Sequence, residues 1–344
     1  MENEIKEQEI KTEEEIIKKE KNYMLPLSIF ITGAMLAGAI VYTATLWSQG
    51  GFQNSNRTPE QKAMLQLEEK VLPEKGVALP VVWGDLGKQL VESGAIDGER
   101  FKKLYNDRGQ FTPEYEQLLS GENNKEIKIT KDNAGYLLNI FWALGLANKN
   151  SILETGEMSD PKYGGAGNFA STGGWTMARS TSSGQAQGDA MEHYSKHVFF
   201  TLTPEQQALV DKVSRGIYRP CCGNSVHFPD CNHGMAMLGL LELMASQGTT
   251  EQEMWDTALV VNSYWFPDTY LTIATYMKNK GVEWKDVNPE EMLGKEYSSS
   301  QGYANIRSQV VVPASGQNSG GGCGVDTGAP ASAPAPRQQS GCGV

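Results

Sequence analysis

A long uncharged stretch near the N-terminus constrains this chain more than any other feature. No Asp, Glu, Lys or Arg occurs in residues 22–56, and residues 23–47 read YMLPLSIFITGAMLAGAIVYTATLW. At about 1.5 Å per residue, a helix of this length crosses a bilayer core of about 30 Å. A cleaved signal peptide would begin nearer the N-terminus and have a shorter apolar core. We therefore expect an uncleaved single-pass transmembrane anchor.

The charges that flank this segment predict its orientation. Lys18, Lys19 and Lys21 come just before it, and Arg57 is the first charged residue after it. The positive-inside rule then places the N-terminus in the cytoplasm and the main domain outside a bacterial cytoplasmic membrane. The expected organisation is a cytoplasmic charged tail (1–22), a transmembrane helix (23–47), a linker (48–57), an extracytoplasmic domain (58–312) and a disordered C-terminal tail (313–344).

Helix-start signals predict that the outer domain is mainly α. Thr58, Thr203 and Thr250 are each followed three residues later by Gln or Glu, the pattern of a capping box. Residues 155–190 are rich in Gly, Ser and Thr and are expected to form a long loop. The expected helices are 59–72, 85–105, 113–119, 131–147, 204–217, 234–247, 251–262, 267–280 and a short turn at 289–292. The expected strands are 77–82, 127–129 and 198–201.

Charge and motifs exclude several classes of function. The formal net charge of −11 argues against a nucleic-acid partner, because binding the phosphate backbone requires a basic surface. The sequence shows no Ser/His/Asp order, no paired-carboxylate signature and no nucleotide-binding motif. An enzymatic role is therefore not the primary expectation.

Cysteine and histidine are concentrated in one short segment, RPCCGNSVHFPDCNHGM, residues 219–235. It holds three of the five cysteines and two of the four histidines of the chain, and the other two histidines lie just upstream in MEHYSKH. Thiolate and imidazole groups bind soft and borderline metals. The sequence therefore predicts a metal site, with copper or zinc ahead of an iron–sulfur cluster.

The spacing of these residues suggests a ligand set. Adjacent side chains in an extended backbone point to opposite faces, so one of the two neighbouring cysteines is expected to join Cys231 and His233, and Cys222 is the first choice. Histidines four apart on a helix share one face, which would bring two more imidazoles to the site. Cys231 is expected at the N-terminus of an apolar helix, where the dipole lowers a thiol pKa. The candidate ligands are Cys222, Cys231, His233, His193, His197, Cys221 and His227.

Two further interpretations of the cysteines remain open. Thiols tend to oxidise outside the cytoplasm, so a disulfide from Cys231 to Cys221 or Cys222 could simply join the loop to the helix. The chain would then be a structural envelope protein. Alternatively, the three cysteines could serve a thiol–disulfide redox protein.

Residues 220–235 resemble two families locally. Pro220-Cys221-Cys222-Gly223, followed by a later cysteine that begins an apolar helix, is similar in order to the PCYCGC-motif extracytoplasmic proteins. The run from Cys222 to Cys231, with Ser225 and Pro229 between, also resembles the CDGSH iron–sulfur signature of NEET proteins, which would imply a [2Fe–2S] cluster. In that signature one residue separates the first two cysteines and the histidine follows four after the last, whereas here the first two are adjacent and His233 follows by two.

The C-terminal tail carries two more cysteines in a repeated context. Cys323 and Cys342 each stand in the sequence Gly-Cys-Gly-Val, within a stretch rich in Gly, Ser, Ala and Pro that cannot build a core. These thiols could transfer metal to a partner or to the folded site, exchange disulfides, or crosslink two chains.

Overall fold

The computed structural model describes residues 57–180 and 188–310. The predicted anchor 23–47, the tail 313–344 with its two cysteines, and the middle of the Gly/Ser-rich loop lie outside these residues. Among the helices that are described, none has the length and apolar character needed to cross a membrane.

The chain divides into two compact units, residues 1–64 and residues 65–344. The described part of the first unit, 57–64, contains the beginning of helix α1 (Pro59–Val71). There the backbone N–H of Gln61 donates to Thr58 Oγ1, and the Gln61 side chain accepts from the Thr58 N–H, as in the predicted capping box.

The described part of the second unit is mainly helical, as the sequence predicts, with one two-stranded antiparallel sheet. Short 3₁₀ turns occur at Glu157–Ser159, Pro161–Tyr163, Ala166–Asn168, Ala190–Glu192 and Trp284–Asp286. After α1, the elements are β1 (Val77–Gly84), α2 (Leu86–Glu92), α3 (Gly98–Asn106), α4 (Pro113–Ser120), β2 (Asn124–Ile129), α5 (Ala134–Ala147), α6 (Ser151–Thr155), α7 (Ala170–Gly173), α8 (Pro204–Gly216), α9 (Asn232–Ser246), α10 (Glu251–Trp265), α11 (Pro267–Asn279), α12 (Pro289–Leu293), α13 (Lys295–Ser298) and α14 (Ser300–Arg307).

Helices α5 and α9 form the centre of the core. Every residue of α9 from Asn232 to Ala245 is buried, and α5 is buried along nearly its whole length. The two helices approach so closely that a Cβ atom on Gly145 would lie 2.1 Å from the Met235 carbonyl oxygen. This contact sets the position of α9, the helix that has Cys231 as its N-cap and carries His233 in its first turn.

Three expected elements differ from the structure. The single helix 85–105 is two helices, because Gly94 takes a positive φ of 82° and Asp97 caps a new helix by accepting from Arg100 N–H. The expected strand 198–201 is not a strand: Val198 is 63% exposed, and the Phe199 N–H donates to the Asn148 side chain. The region 155–180 is not an open loop, since it folds into short helical turns that bury Trp175.

Candidate metal centre

The cysteine-rich segment folds back on itself between α8 and α9. The Val226 N–H donates to the Ile217 carbonyl at 2.8 Å, and the Cys222 N–H donates to the Arg219 carbonyl at 3.3 Å. The chain therefore turns at Arg219–Cys222 and returns to the start of α9. This turn brings the adjacent Cys221 and Cys222 beside Cys231.

Cys231 is the N-cap of α9, as the sequence predicts. Its Sγ accepts from the Gly234 N–H at 3.4 Å and from Arg219 Nε at 3.1 Å, and it lies 3.5 Å from Cys221 Sγ. Hydrogen bonds from Cys221 and Cys222, together with the Arg219 charge, outweigh burial and hold the Cys231 pKa well below its usual range. The site therefore favours the thiolate form at Cys231 more than at Cys221 or Cys222.

Arg219 is a buried cation at the centre of this network. Only 1% of its surface is exposed, and its Nη atoms donate to the carbonyls of Asn224 at 3.0 Å and Phe228 at 3.1 Å. Its Nη2 also donates to Asp230 Oδ1 at 2.5 Å, which makes a buried ion pair. A Cβ on Gly234 would lie 2.6 Å from the guanidinium carbon, so only glycine leaves room for Arg219 here.

Cys222 and Asp230 are held by each other and by neighbouring polar groups. Cys222 Sγ donates to Asp230 Oδ1 at 3.8 Å, and Asn224 Nδ2 donates to Asp230 Oδ2 at 2.7 Å. A hydrogen bond with Cys221 lowers the pKa of Cys222. The hydrogen bond with Cys231 and burial together raise it by more, so the resulting pKa is about 12. Burial likewise raises the Asp230 pKa, and Arg219 opposes that rise. Both oxygens of the Asp230 carboxylate thus accept hydrogen bonds, Oδ1 from Arg219 and Cys222 and Oδ2 from Asn224.

His233 brings an imidazole to the same place from the first turn of α9. Its ring packs 4.3 Å from the Phe266 ring and 5.9 Å from the Trp265 ring, measured between centroids. Its Nδ1 is buried and has no hydrogen-bond partner among the described residues. A buried nitrogen without a partner is costly unless something binds it.

Two overlapping groups of donor atoms result. One ligand atom each from Cys221, Cys231 and His233 lie within 4.8 Å of one another, and so do atoms of Cys222, Asp230 and Cys231. The expectation that Cys222 pairs with His233 is corrected, because the turn at 219–222 directs Cys221 to that position instead. Among the described residues no disulfide joins these cysteines.

His193 and His197 belong to neither group. Their rings stack, with 3.0 Å between His193 Nδ1 and His197 Nε2, while His193 Nε2 lies 3.1 Å from the Arg179 carbonyl oxygen. The backbone between them is not helical, since the chain leaves a 3₁₀ turn and Ser195 adopts a positive φ of 52°. Burial first and His193 second lower the pKa of His197.

His227 is also outside both groups. Its Nε2 contacts Asp211 Oδ1 at 2.8 Å, where Arg215 also binds the carboxylate. The hydrogen bond from Arg215 contributes most to the lowered pKa of Asp211, and His227 adds to it. This imidazole therefore links the loop to α8 and does not face the cysteines' donor groups.

Sequence reasoning missed Arg219 and Asp230. The sequence does contain a signal for them. Of Asp, Glu, Lys and Arg, residues 216–241 contain only these two, and their charges are opposite. Charges in an otherwise apolar segment are rarely buried unless they are paired. That rule would have predicted this ion pair beside the cysteines.

No protein-family model matches the chain, and no curated protein or solved structure matches it either.

Proposed function

We propose that this protein binds a thiophilic metal ion, copper or zinc, through Cys221, Cys231 and His233, and that it captures, transfers or senses that metal. The observation that carries this proposal is the convergence of two sulfur atoms and one imidazole nitrogen within 4.8 Å. Donor atoms that share one ion at bonds of about 2.0–2.3 Å lie within such a distance of each other.

The surroundings of these donors support metal binding over simple packing. Cys231 and His233 are buried, and within the described part of the chain the His233 Nδ1 atom has no hydrogen-bond partner. Hydrogen bonds to the Cys231 sulfur from Arg219 and from the α9 backbone hold this ligand in position. The proposal includes the predicted N-in membrane anchor and a transfer partner that acts through Cys323 and Cys342.

A thiol–disulfide redox function is the second candidate. The 3.5 Å between Cys221 Sγ and Cys231 Sγ is short enough for a partner disulfide, which is itself reduced to two thiols, to leave a Cys221–Cys231 disulfide after a small movement. The lowered pKa of Cys231 gives the thiolate that attacks in such exchange. In this function the His233 side chain would help to lower the pKa of Cys231 without binding an ion.

Metal content separates the two candidates. The full-length protein would carry Cys323→Ser and Cys342→Ser, so that only the site cysteines remain, and would be loaded with Zn²⁺ or with Cu⁺ under reductant. After desalting, elemental analysis should find a bound ion that is lost in Cys221→Ser and in Cys231→Ser. His227→Gln is the matched control and should keep the ion.

The opposite result identifies the redox candidate. No retained ion, together with reversible loss of thiols at Cys221 and Cys231 in glutathione disulfide, would reject the metal proposal. Near-ultraviolet circular dichroism of each variant would show whether loss of the ion reflects loss of the fold. His233→Gln adds a third readout, because it should weaken metal binding without preventing disulfide formation.

A further inference from the structure

We propose that this site takes a soft monovalent cation, Cu⁺, and that Arg219 sets its preference for a monovalent over a divalent ion. The inference rests on the proposed function and names the ion that the site serves. It follows from the number of donors, their burial and the buried charge beside them.

The donor number favours a low coordination number. The two donor groups share Cys231, but both oxygens of Asp230 in the second group accept hydrogen bonds from Arg219 and Asn224. Cys222 belongs to that second group, so Cys221, Cys231 and His233 are the three donors that lie together with an imidazole. Zn²⁺ in structural sites is almost always bound by four ligands, whereas Cu⁺ is stable with two or three soft donors.

Burial makes a water molecule a poor fourth ligand. Cys231 is 1% exposed and His233 is 8% exposed, and the rings of Trp265 and Phe266 cover the imidazole. Cys221 is the least buried of the three ligands, so an ion would reach the site on its side. Removing an ion from water also costs less for a single charge than for a double charge.

The charge of Arg219 discriminates between ions directly. Arg219 Nε lies 3.1 Å from Cys231 Sγ, and a guanidinium keeps its proton in proteins. An ion bound to this sulfur would stand near a fixed positive charge, and the repulsion is twice as large for a divalent ion. Asp230 offsets part of this field, but the guanidinium contacts the sulfur itself.

The test compares Ag⁺, a redox-inert probe for Cu⁺, with Zn²⁺ on the full-length Cys323→Ser/Cys342→Ser protein. We expect Ag⁺ to be retained by Cys221 and Cys231, and no stoichiometric Zn²⁺ binding at micromolar concentration. The double change Arg219→Met/Asp230→Asn removes both buried charges together. It should tighten Zn²⁺ binding by about tenfold or more relative to Ag⁺, because the nearer, positive charge is lost.

The matched control is Lys103→Met/Asp107→Asn, which removes an exposed Lys–Asp pair at the C-terminal end of α3 and should leave the Zn²⁺ to Ag⁺ affinity ratio unchanged. Failure to retain either ion would reject the proposed function itself. Stoichiometric Zn²⁺ binding by the parent at micromolar concentration, lost in Cys231→Ser, would keep a metal site and reject the monovalent ion. An unchanged Zn²⁺ to Ag⁺ affinity ratio in a folded Arg219→Met/Asp230→Asn protein would reject the role of Arg219. If that variant fails to fold, the titration of the parent still decides whether the site takes a monovalent or a divalent ion.

Discussion

Glu242 is a carboxyl group buried in the middle of α9. It has 0% exposure, its Oε2 accepts from Asn148 Nδ2 at 2.7 Å, and its Oε1 has no hydrogen-bond partner among the described residues. Burial raises its pKa well above the ordinary value, and the hydrogen bond from Asn148, with the nearby Asn150 side chain, offsets only part of that rise. The fold therefore favours the neutral acid over the carboxylate.

This neutral acid predicts a pH-dependent stability. The folded pKa lies above the unfolded one, so the folded state binds more protons between those two values, and stability is lost as pH rises through that window. Glu242→Gln is neutral at every pH and should raise the free energy of unfolding at pH 8 by roughly 1–3 kcal/mol, with little change near pH 4. Urea unfolding across this pH range measures it. Glu296→Gln, at an exposed site, is the control, and equal pH profiles for both variants would contradict the prediction.

At the scale of residues, the sequence indicates which side chains matter better than it indicates how they pair. The concentration of Cys and His identifies the segment around Cys231 and its position at a helix N-terminus. The choice between Cys221 and Cys222 depends on a hydrogen-bonded turn at Arg219, and the rule for extended backbone does not apply to it. The positions of His193 and His197 likewise depend on a turn at Ser195, which their four-residue spacing does not predict.

At the scale of elements, the contact between α5 and α9 positions the whole candidate site. A Cβ on Gly239 would lie 2.5 Å from Gly145 N and 2.6 Å from the Phe141 carbonyl oxygen. These are backbone atoms, so the helices themselves would have to separate. Because Cys231 and His233 begin α9, such a movement would also shift the ligands.

Gly239→Ala should therefore lower the free energy of unfolding by about 1–3 kcal/mol, despite the better helix propensity of alanine. Gly135→Ala is the matched control on α5, since a Cβ there meets nothing within 4 Å. It should be neutral or stabilise by up to about 1 kcal/mol. Chemical denaturation of both variants measures the difference, and a stable Gly239→Ala protein would mean that the helix contact is looser than described.

Local signals predict helix starts well because each start is set by neighbouring residues. The boxes at Thr203 and Thr250 form as predicted, and helices follow them directly. The break at Gly94 and the absence of a strand at 198–201 depend on distant partners, namely the Arg179 N–H on the Gly94 carbonyl and the Asn148 side chain on Phe199. Periodicity over one segment contains no information about such partners.

At the scale of the whole molecule, the described residues leave two cysteines outside the candidate site. Cys323 and Cys342 lie in the segment 313–344, which is beyond the described residues and is rich in Gly, Ser, Ala and Pro. The prediction of metal transfer by this tail requires that its thiols meet Cys221, the least buried ligand of the site.

If these thiols pass metal to the site, they should affect the rate of loading and leave the final occupancy unchanged. Cys323→Ser/Cys342→Ser should slow Cu⁺ uptake from a chelator while the ion content at equilibrium stays equal to that of the parent, because the site ligands are intact. Removal of residues 313–344 should have the same effect and should leave the thermal midpoint nearly unchanged, since this composition builds no core. Stopped-flow exchange measures the rate, and Ser319→Ala is a control in the same segment. Equal rates in parent and variant would exclude a transfer role, and a dimer of the parent alone in non-reducing electrophoresis would assign the tail cysteines to a crosslink between chains.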